Sequence, residues 1–208
     1  MSAGEIHNGY QSAWQIARQN FGNSIAFYAP TIKHYETEEF RQCCGHCYFM
    51  PVSITGAGCE LNCDHCGRKI LKAMRAATTP QDLFEYAEEI AGRGAKGMLI
   101  SGGSDKNGVV PIRPFLKTIA RIKQEFGFKI VAHLGIMNEE TVMEIAESGG
   151  IDGAMMDIVG NDDTLRQVYH LQDVTCNDFE NSLRLLCKHG VKTIPHVVIG
   201  LHYGRIIG

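Results

Sequence analysis

The fold is decided by one short stretch, residues 59–66, which reads Cys59-Glu60-Leu61-Asn62-Cys63-Asp64-His65-Cys66. Its three cysteines are spaced C-x3-C-x2-C, and three thiolates on one loop can hold three irons of a cubane cluster. The fourth iron then has no protein ligand and is open for reaction, whereas four cysteines would close the cluster for electron transfer. The alternatives are scattered core thiols or zinc, although structural zinc usually takes paired sets that total four ligands.

The sequence around this loop alternates between two kinds of run. Strand-like runs lie at 51–56, 97–101, 129–134, 153–158 and 191–201, and helix-like runs lie at 67–76, 80–93, 112–126, 138–148 and 178–189. The strand-like runs carry Val, Ile and Met on both faces, which is typical of buried parallel strands. The pattern predicts an α/β fold with a parallel sheet, and it places the site at the carboxyl ends of the strands.

A strand, a three-cysteine loop and a helix in this order resemble the start of the barrel in the radical S-adenosylmethionine (SAM) superfamily. The resemblance implies a parallel-stranded partial (β/α) barrel, which has six units in that family. Because we count five strands, we expect the barrel core, residues 49–208, to be cut off after its fifth strand. Either the chain is a fragment or the sixth unit is lost. Residues 1–48 are then an N-terminal extension.

The same resemblance implies roles for the residues of the loop. Cys59, Cys63 and Cys66 would bind a [4Fe–4S] cluster whose open iron chelates SAM, and the reduced cluster would cleave SAM to a 5′-deoxyadenosyl radical. His65 stands where the family commonly has an aromatic residue that packs on the adenine, and an imidazole can also stack.

Further SAM-binding positions are implied at the end of the second strand. The family has a glycine-glycine-acid motif there that receives the SAM ammonium, and this chain has Ser101, Gly102, Gly103 and Ser104, with Ser104 in the place of the acid. Glycines let the backbone approach a ligand without a Cβ clash. A Gly-Gly pair alone is more often a plain turn, so its place one β-α unit after the cysteine loop carries the interpretation.

Later strands also end in polar or glycine-bearing segments. Asp157 ends the fourth strand and is predicted to accept two hydroxyls of the ribose or substrate. His133 ends the third strand and is either a site residue or a structural histidine. After the fifth strand, Val198 and Gly200 are implied to contact the adenine through their backbone, and residues 200–204 extend far enough to cover the site.

A second group of thiols precedes the first strand. Cys43, Cys44 and Cys47 form a C-C-x2-C group, which suggests an auxiliary iron–sulfur cluster. A fourth ligand is then needed, and His46 is a candidate. Zinc, or a ligand donated by a partner, is the alternative. Cys187 is predicted to be a core thiol.

Four stretches, 49–56, 63–71, 157–160 with 168–169, and 195–204, resemble the split-type lipoyl synthases, which are two-protein systems related to biotin synthase. The resemblance implies sulfur insertion at unactivated carbons of a protein-bound octanoyl chain, with an auxiliary cluster as sulfur donor. The implied partners are an octanoylated carrier protein or peptide, a second lipoyl synthase subunit and an electron donor. The alternatives are another radical SAM enzyme with a different substrate, or a non-catalytic metal-binding protein.

Composition bounds these interpretations. The 208 residues carry a net charge of −3, so we expect no surface for nucleic acid or anionic membranes. No apolar run approaches the roughly 20 residues of a membrane span, and the first residues show no export signal. Eight cysteines in such a chain indicate a reducing cytoplasm, where thiols act as ligands rather than as disulfides.

Overall fold

The computed structural model describes residues 3–26 and 49–207. The chain divides into two units, residues 1–44 and 45–208. The described part of the first unit is helix α1, Ala3–Phe21, on which the Arg18 guanidinium lies 4.3 Å from the ring centre of Trp14. None of the described helices has the length and apolarity of a membrane span.

The second unit is built on one parallel sheet of six strands. In chain order the strands are β1 Phe49–Ser53, β2 Arg75–Ala76, β3 Gly97–Ser101, β4 Lys129–His133, β5 Gly153–Asp157 and β6 Thr193–His196. In space the order is β2-β1-β3-β4-β5-β6, and every neighbouring pair is parallel. The predicted parallel α/β fold is therefore confirmed, as an open sheet whose edge strands β2 and β6 do not pair with each other.

Helices connect the strands as parallel pairing requires. They are α2 Lys69–Ala73, α3 Pro80–Gly92, α4 Leu116–Phe126 after a 3-10 turn Arg113–Phe115, α5 Glu139–Ser148, α6 Asp162–Gln167 and α7 Cys176–Lys188. Local caps fix their starts. Thr79 and Asp82 form a capping box on α3, and the Asn138 side chain accepts the Thr141 N–H on α5. The apolar faces of these helices cover strand residues such as Ile100 and Ile130, which are fully buried.

Several boundaries differ from the sequence-based expectation, among them that of the first strand, which is predicted at 51–56 and lies at Phe49–Ser53. The first predicted helix, 67–76, ends at Ala73, and residues 75–76 form the extra edge strand β2 beside β1. The last predicted helix begins at Cys176 rather than at residue 178, because Thr175 caps it and Asp178 closes the capping box from the third helical position. The last predicted strand, 191–201, ends at His196.

The residues after β6 turn back instead of extending the sheet. Ile199 is apolar but 84% exposed, whereas Leu201 and His202 are buried. The buried His202 ring lies with Nδ1 3.0 Å from the hydroxyl of Thr164, which is also buried, on α6. This contact holds the 200–204 segment against the carboxyl edge of the sheet.

Candidate functional site

The three-cysteine loop follows β1 at the carboxyl edge of the sheet. Cys63 is buried, Cys59 and Cys66 are half-buried, and all three are free thiols. Burial, together with the nearby Cys66 and Cys59, raises the pKa of Cys63 to about 12. Ionisation of the Cys63 thiol is therefore costly without a positively charged group to offset it.

The spread of the sulfurs fits a cluster better than a single ion. A tetrahedral zinc ion with Zn–S bonds of about 2.3 Å would hold its sulfurs about 3.8 Å apart. The Sγ atoms of Cys59, Cys63 and Cys66 do not all lie within 4.8 Å of one another. Thiolates that each bind a different iron of a cubane stand farther apart, so these three residues would hold a [4Fe–4S] cluster.

One side of the loop is fastened to the end of β3. The Gly103 N–H donates to the Thr55 hydroxyl at 2.6 Å, and the Glu60 N–H donates to the Ser104 carbonyl at 2.8 Å. A Cβ atom at residue 103 would collide with the Gly58 carbonyl and lie 2.5 Å from the Cβ of Cys59. Glycine is therefore required at 103 by the approach of the cysteine loop itself, while the SAM-ammonium contact of residues 101–104 stays a prediction.

The other side of the loop is fastened through Asp64. Its backbone N–H donates to the Val168 carbonyl at 2.9 Å, its Oδ2 accepts the Tyr203 hydroxyl at 2.7 Å, and its Oδ1 lies 3.0 Å from His170 Nε2. The Tyr203 hydrogen bond, and His170 after it, hold the pKa of the Asp64 carboxyl below its usual range. Tyr203 of the 200–204 segment therefore contacts the cysteine loop directly, while covering of the site by that segment stays a prediction.

Three side chains converge at the ends of β4, β5 and β6. Parallel register places His133, Asp157 and His196 at one edge of the sheet, with Asp157 opposite His196. The Asp157 Oδ1 atom lies 3.4 Å from His133 Nε2 and 3.8 Å from His196 Nδ1. The two imidazole rings are stacked at 5.6 Å with 26° between their planes. All three residues are half-buried, so this group faces a partly solvated space.

Tyr169 links this group to the cysteine loop. Its buried hydroxyl donates to Asp157 Oδ2 at 2.9 Å, and its carbonyl accepts the Cys63 thiol at 3.6 Å. Its ring centre lies 4.9 Å from that of His65. The predicted stacking residue His65 thus already lies against an aromatic ring of the chain.

The neighbours of Asp157 and its burial shift the pKa of its carboxyl in opposite directions. Burial raises the pKa of the Asp157 carboxyl, but His133, Tyr169 and His196 outweigh it and hold that pKa below its usual range. Burial and the neighbouring His133 lower the pKa of His196. The arrangement therefore favours an ionised carboxylate beside a neutral His196 imidazole near neutral pH.

The structure does not bring the remaining predicted residues into this group. Val198 is 43% exposed, and Gly200 has a φ of +76° in the turn after β6, so their adenine contacts stay predictions. Cys43, Cys44 and Cys47 lie outside the described residues. Cys187 is exposed, and its prediction as a core thiol is wrong because it points away from the apolar face of α7.

Sequence reasoning named no individual role for Tyr169, His170 or His196, and it included Tyr203 only within the 200–204 segment predicted to cover the site. His196 had a usable signal, because it ends a strand that is parallel to those of His133 and Asp157. The other three lie on loops, where no periodicity marks them.

Comparison with known proteins gives the family. Residues 53–205 match the radical SAM superfamily. No curated protein matches the chain at the significance required. Among solved structures, the chain is similar to methylornithine synthase with a TM-score of 0.56 and 16% identity, over 97% of this chain and 53% of that one. An uncharacterized protein matches with a TM-score of 0.42 and 10% identity, over 71% of this chain and 45% of that one.

These matches differ in what they support. The chain spans about half the length of methylornithine synthase, and at 16% identity the likeness shows the fold alone. The second structural match is too weak to support an argument. The superfamily match, by contrast, covers nearly the whole described second unit, including the cysteine loop and all the strand ends of the site. This chain therefore belongs to the radical SAM superfamily.

Proposed function

We propose that this chain uses a [4Fe–4S] cluster on Cys59, Cys63 and Cys66 to cleave SAM for sulfur insertion into a protein-bound octanoyl chain. One observation carries the first half: three spread thiols on one loop at the carboxyl edge of the sheet, inside a radical SAM domain. When bound, the cluster supplies the electron that breaks the sulfonium C–S bond of SAM and yields a 5′-deoxyadenosyl radical able to remove hydrogen from a CH2 group.

Contacts within the chain hold the cysteine loop in place. Glu60 and Asp64 fix the two sides of the cysteine loop through contacts with Ser104 and Tyr203. The backbone carbonyl of the buried Tyr169 accepts the Cys63 thiol and holds the middle cysteine of the loop. A loop held on both sides keeps the three thiols in place for one cluster geometry.

The octanoyl substrate rests on different support. The stretches 49–56, 63–71 and 195–204 resemble split-type lipoyl synthases, and Cys43, Cys44 and Cys47 form a second thiol group that suits an auxiliary, sulfur-donating cluster. An octanoylated carrier protein or peptide, a companion lipoyl synthase subunit and an electron donor complete the proposal.

The first experiment tests SAM cleavage. Protein reconstituted without oxygen is mixed with SAM and a reductant, and 5′-deoxyadenosine is measured. Cys59→Ala should abolish the product, whereas Cys187→Ala, which changes an exposed cysteine outside the loop, should leave it unchanged. Product formation that survives Cys59→Ala would refute the assigned cluster site.

The second experiment tests the substrate. An octanoyl-lysine peptide is added together with the companion subunit, and lipoyl product and iron are measured. Changing Cys43, Cys44 and Cys47 together to alanine should lower iron from about eight to about four per chain and abolish lipoyl product while SAM cleavage persists. SAM cleavage without any lipoyl product in the unchanged protein would reject the octanoyl proposal and favour a different radical SAM substrate.

A further inference from the structure

We propose that His133, Asp157 and His196 form a binding site for a divalent transition-metal ion, separate from the cysteine loop. These residues are the last of three adjacent strands, β4, β5 and β6, so the sheet itself brings them together. Within the described ranges, no other group of three His, Cys, Asp or Glu residues brings its ligand atoms within 4.8 Å of one another. The inference goes beyond the proposed function and does not depend on it.

The distances fit ligands of a common ion better than a hydrogen-bonded triad. An N–H···O hydrogen bond has a usual length of about 2.9–3.0 Å, whereas Asp157 Oδ1 lies 3.4 Å from His133 Nε2 and 3.8 Å from His196 Nδ1. Metal–ligand bonds of about 2.0–2.2 Å in tetrahedral geometry separate neighbouring ligand atoms by about 3.3–3.6 Å. The Asp157–His133 separation lies within this range, the Asp157–His196 separation is about 0.2 Å longer, and all three ligand atoms lie within 4.8 Å of one another.

The surroundings supply what a metal site needs outside its ligands. The Tyr169 hydroxyl donates to Asp157 Oδ2 at 2.9 Å, which orients the carboxylate and leaves Oδ1 facing the imidazoles. Carboxylate ligands in metal sites are commonly held by such a hydrogen bond. The stacked His133 and His196 rings each place one nitrogen within 4 Å of Asp157 Oδ1, and the half-buried setting leaves a route from solvent.

The donor set indicates the class of ion. Two imidazoles and one carboxylate, without a thiol, suit Zn²⁺ or Fe²⁺ rather than Mg²⁺ or Ca²⁺, which prefer oxygen ligands alone. Three protein ligands leave at least one coordination position for water or a bound molecule. A metal on Oδ1 competes with the predicted ribose or substrate contact of Asp157, so the two assignments exclude each other.

The test uses cluster-loaded protein and zinc alone. The protein is dialysed without oxygen against Zn²⁺, and zinc and iron are counted by elemental analysis. We expect one zinc per chain that is lost in both His133→Ala and His196→Ala. His189→Ala should retain it, because that histidine is also partly buried but pairs with Glu139 away from the site. Retention of zinc in both site variants would overturn the proposal.

Two further measurements guard against a variant that merely misfolds. X-ray absorption at the zinc edge should show imidazole scattering, and sulfur scattering alone would place the ion on thiols and overturn the proposal. Tyr169→Phe keeps the ring and removes only the hydroxyl, so zinc should bind about 10–100-fold more weakly while iron content is unchanged. An unchanged zinc affinity in Tyr169→Phe would also count against the site.

Discussion

Strand β5 has an aspartate at each end, and the two are used differently. Asp152 lies just before the strand, and both of its carboxylate oxygens have partners. Oδ2 accepts the Ile130 N–H at 2.8 Å, and Oδ1 lies 2.9 Å from Lys129 Nζ and 3.2 Å from Lys123 Nζ. Asp157, the last residue, has one oxygen bonded to Tyr169, while the other faces two imidazoles at longer range. Both oxygens of Asp152 are thus bonded within the fold, whereas Oδ1 of Asp157 can still bind another group.

The difference separates the two edges of the sheet. At the amino edge, Asp152 joins β4 and β5 through a backbone N–H, which is a contribution to stability. At the carboxyl edge, His133, Asp157 and His196 gather from β4, β5 and β6, and Asp157 Oδ1 lies 3.4 and 3.8 Å from the nearest imidazole nitrogens. In parallel β/α folds the carboxyl edge carries chemistry and the amino edge carries stability, and here the contrast appears within five residues of one strand.

The largest effect is expected from Gly103→Ala at the carboxyl edge. The new Cβ would meet the Gly58 carbonyl and the Cys59 side chain, so the cysteine loop must shift. Overpacking costs roughly 1–3 kcal/mol in stability, and we expect most 5′-deoxyadenosine formation to be lost with the loop geometry. Gly92→Ala is the matched control, because its Cβ would meet nothing within 4 Å. Equal activity in both variants would contradict the close approach.

The next largest effect is expected when aspartate is replaced by asparagine at each end of β5 in turn. Asp152→Asn keeps the shape but removes the charge that two lysines and a backbone N–H share, so the free energy of unfolding should fall by about 1–3 kcal/mol. The asparagine of Asp157→Asn can still accept a hydrogen bond from the Tyr169 hydroxyl. The free energy of unfolding of this variant should therefore fall by less than about 1 kcal/mol. Urea unfolding of the two variants measures the difference. A larger loss at Asp157 would reverse the assignment of the edges.

Sequence reasoning reached the parallel sheet because apolar runs and caps recur along the chain. It missed β2, since two residues carry no periodicity, and it extended β6 too far, because Val197, Val198 and Ile199 are apolar although exposed. It placed His133 and Asp157 at strand ends, where register brings them together. The bond between Tyr203 and Asp64 joins residues 139 apart, and no local pattern encodes such a pairing.

A smaller effect concerns pH at the amino edge. Burial raises the pKa of Asp152, but the Ile130 N–H, Lys129 and Lys123 outweigh it and hold that pKa below its usual range. The unfolded chain therefore binds the proton at higher pH, near about 3.9. The stabilisation is complete above that pH and is lost as pH falls through the lower pKa of the folded state.

The measurement compares urea unfolding of wild type and Asp152→Asn from about pH 6 down to about pH 3. The difference in unfolding free energy should be constant at the upper end and shrink as the solution becomes more acidic. Subtracting the unfolding free energy of the variant from that of the wild type removes the contribution of other carboxylates whose pKa is lowered, such as Glu144 beside Arg113. A difference that grows with acidity would have the wrong sign for a depressed pKa.

The smallest effect is expected from Tyr203→Phe at the carboxyl edge. The lost hydroxyl donates to Asp64 at 2.7 Å, but Tyr203 is 61% exposed, so the free energy of unfolding should fall by no more than about 1 kcal/mol. The bond holds the cysteine loop rather than the core, so iron should be released faster to a chelator although thermal stability barely changes. Tyr10→Phe, an exposed tyrosine of α1, is the control. Equal rates of iron release in both variants would mean that the Tyr203 hydroxyl does not hold the cysteine loop. The loop would then be held by the contact of Glu60 with the end of β3.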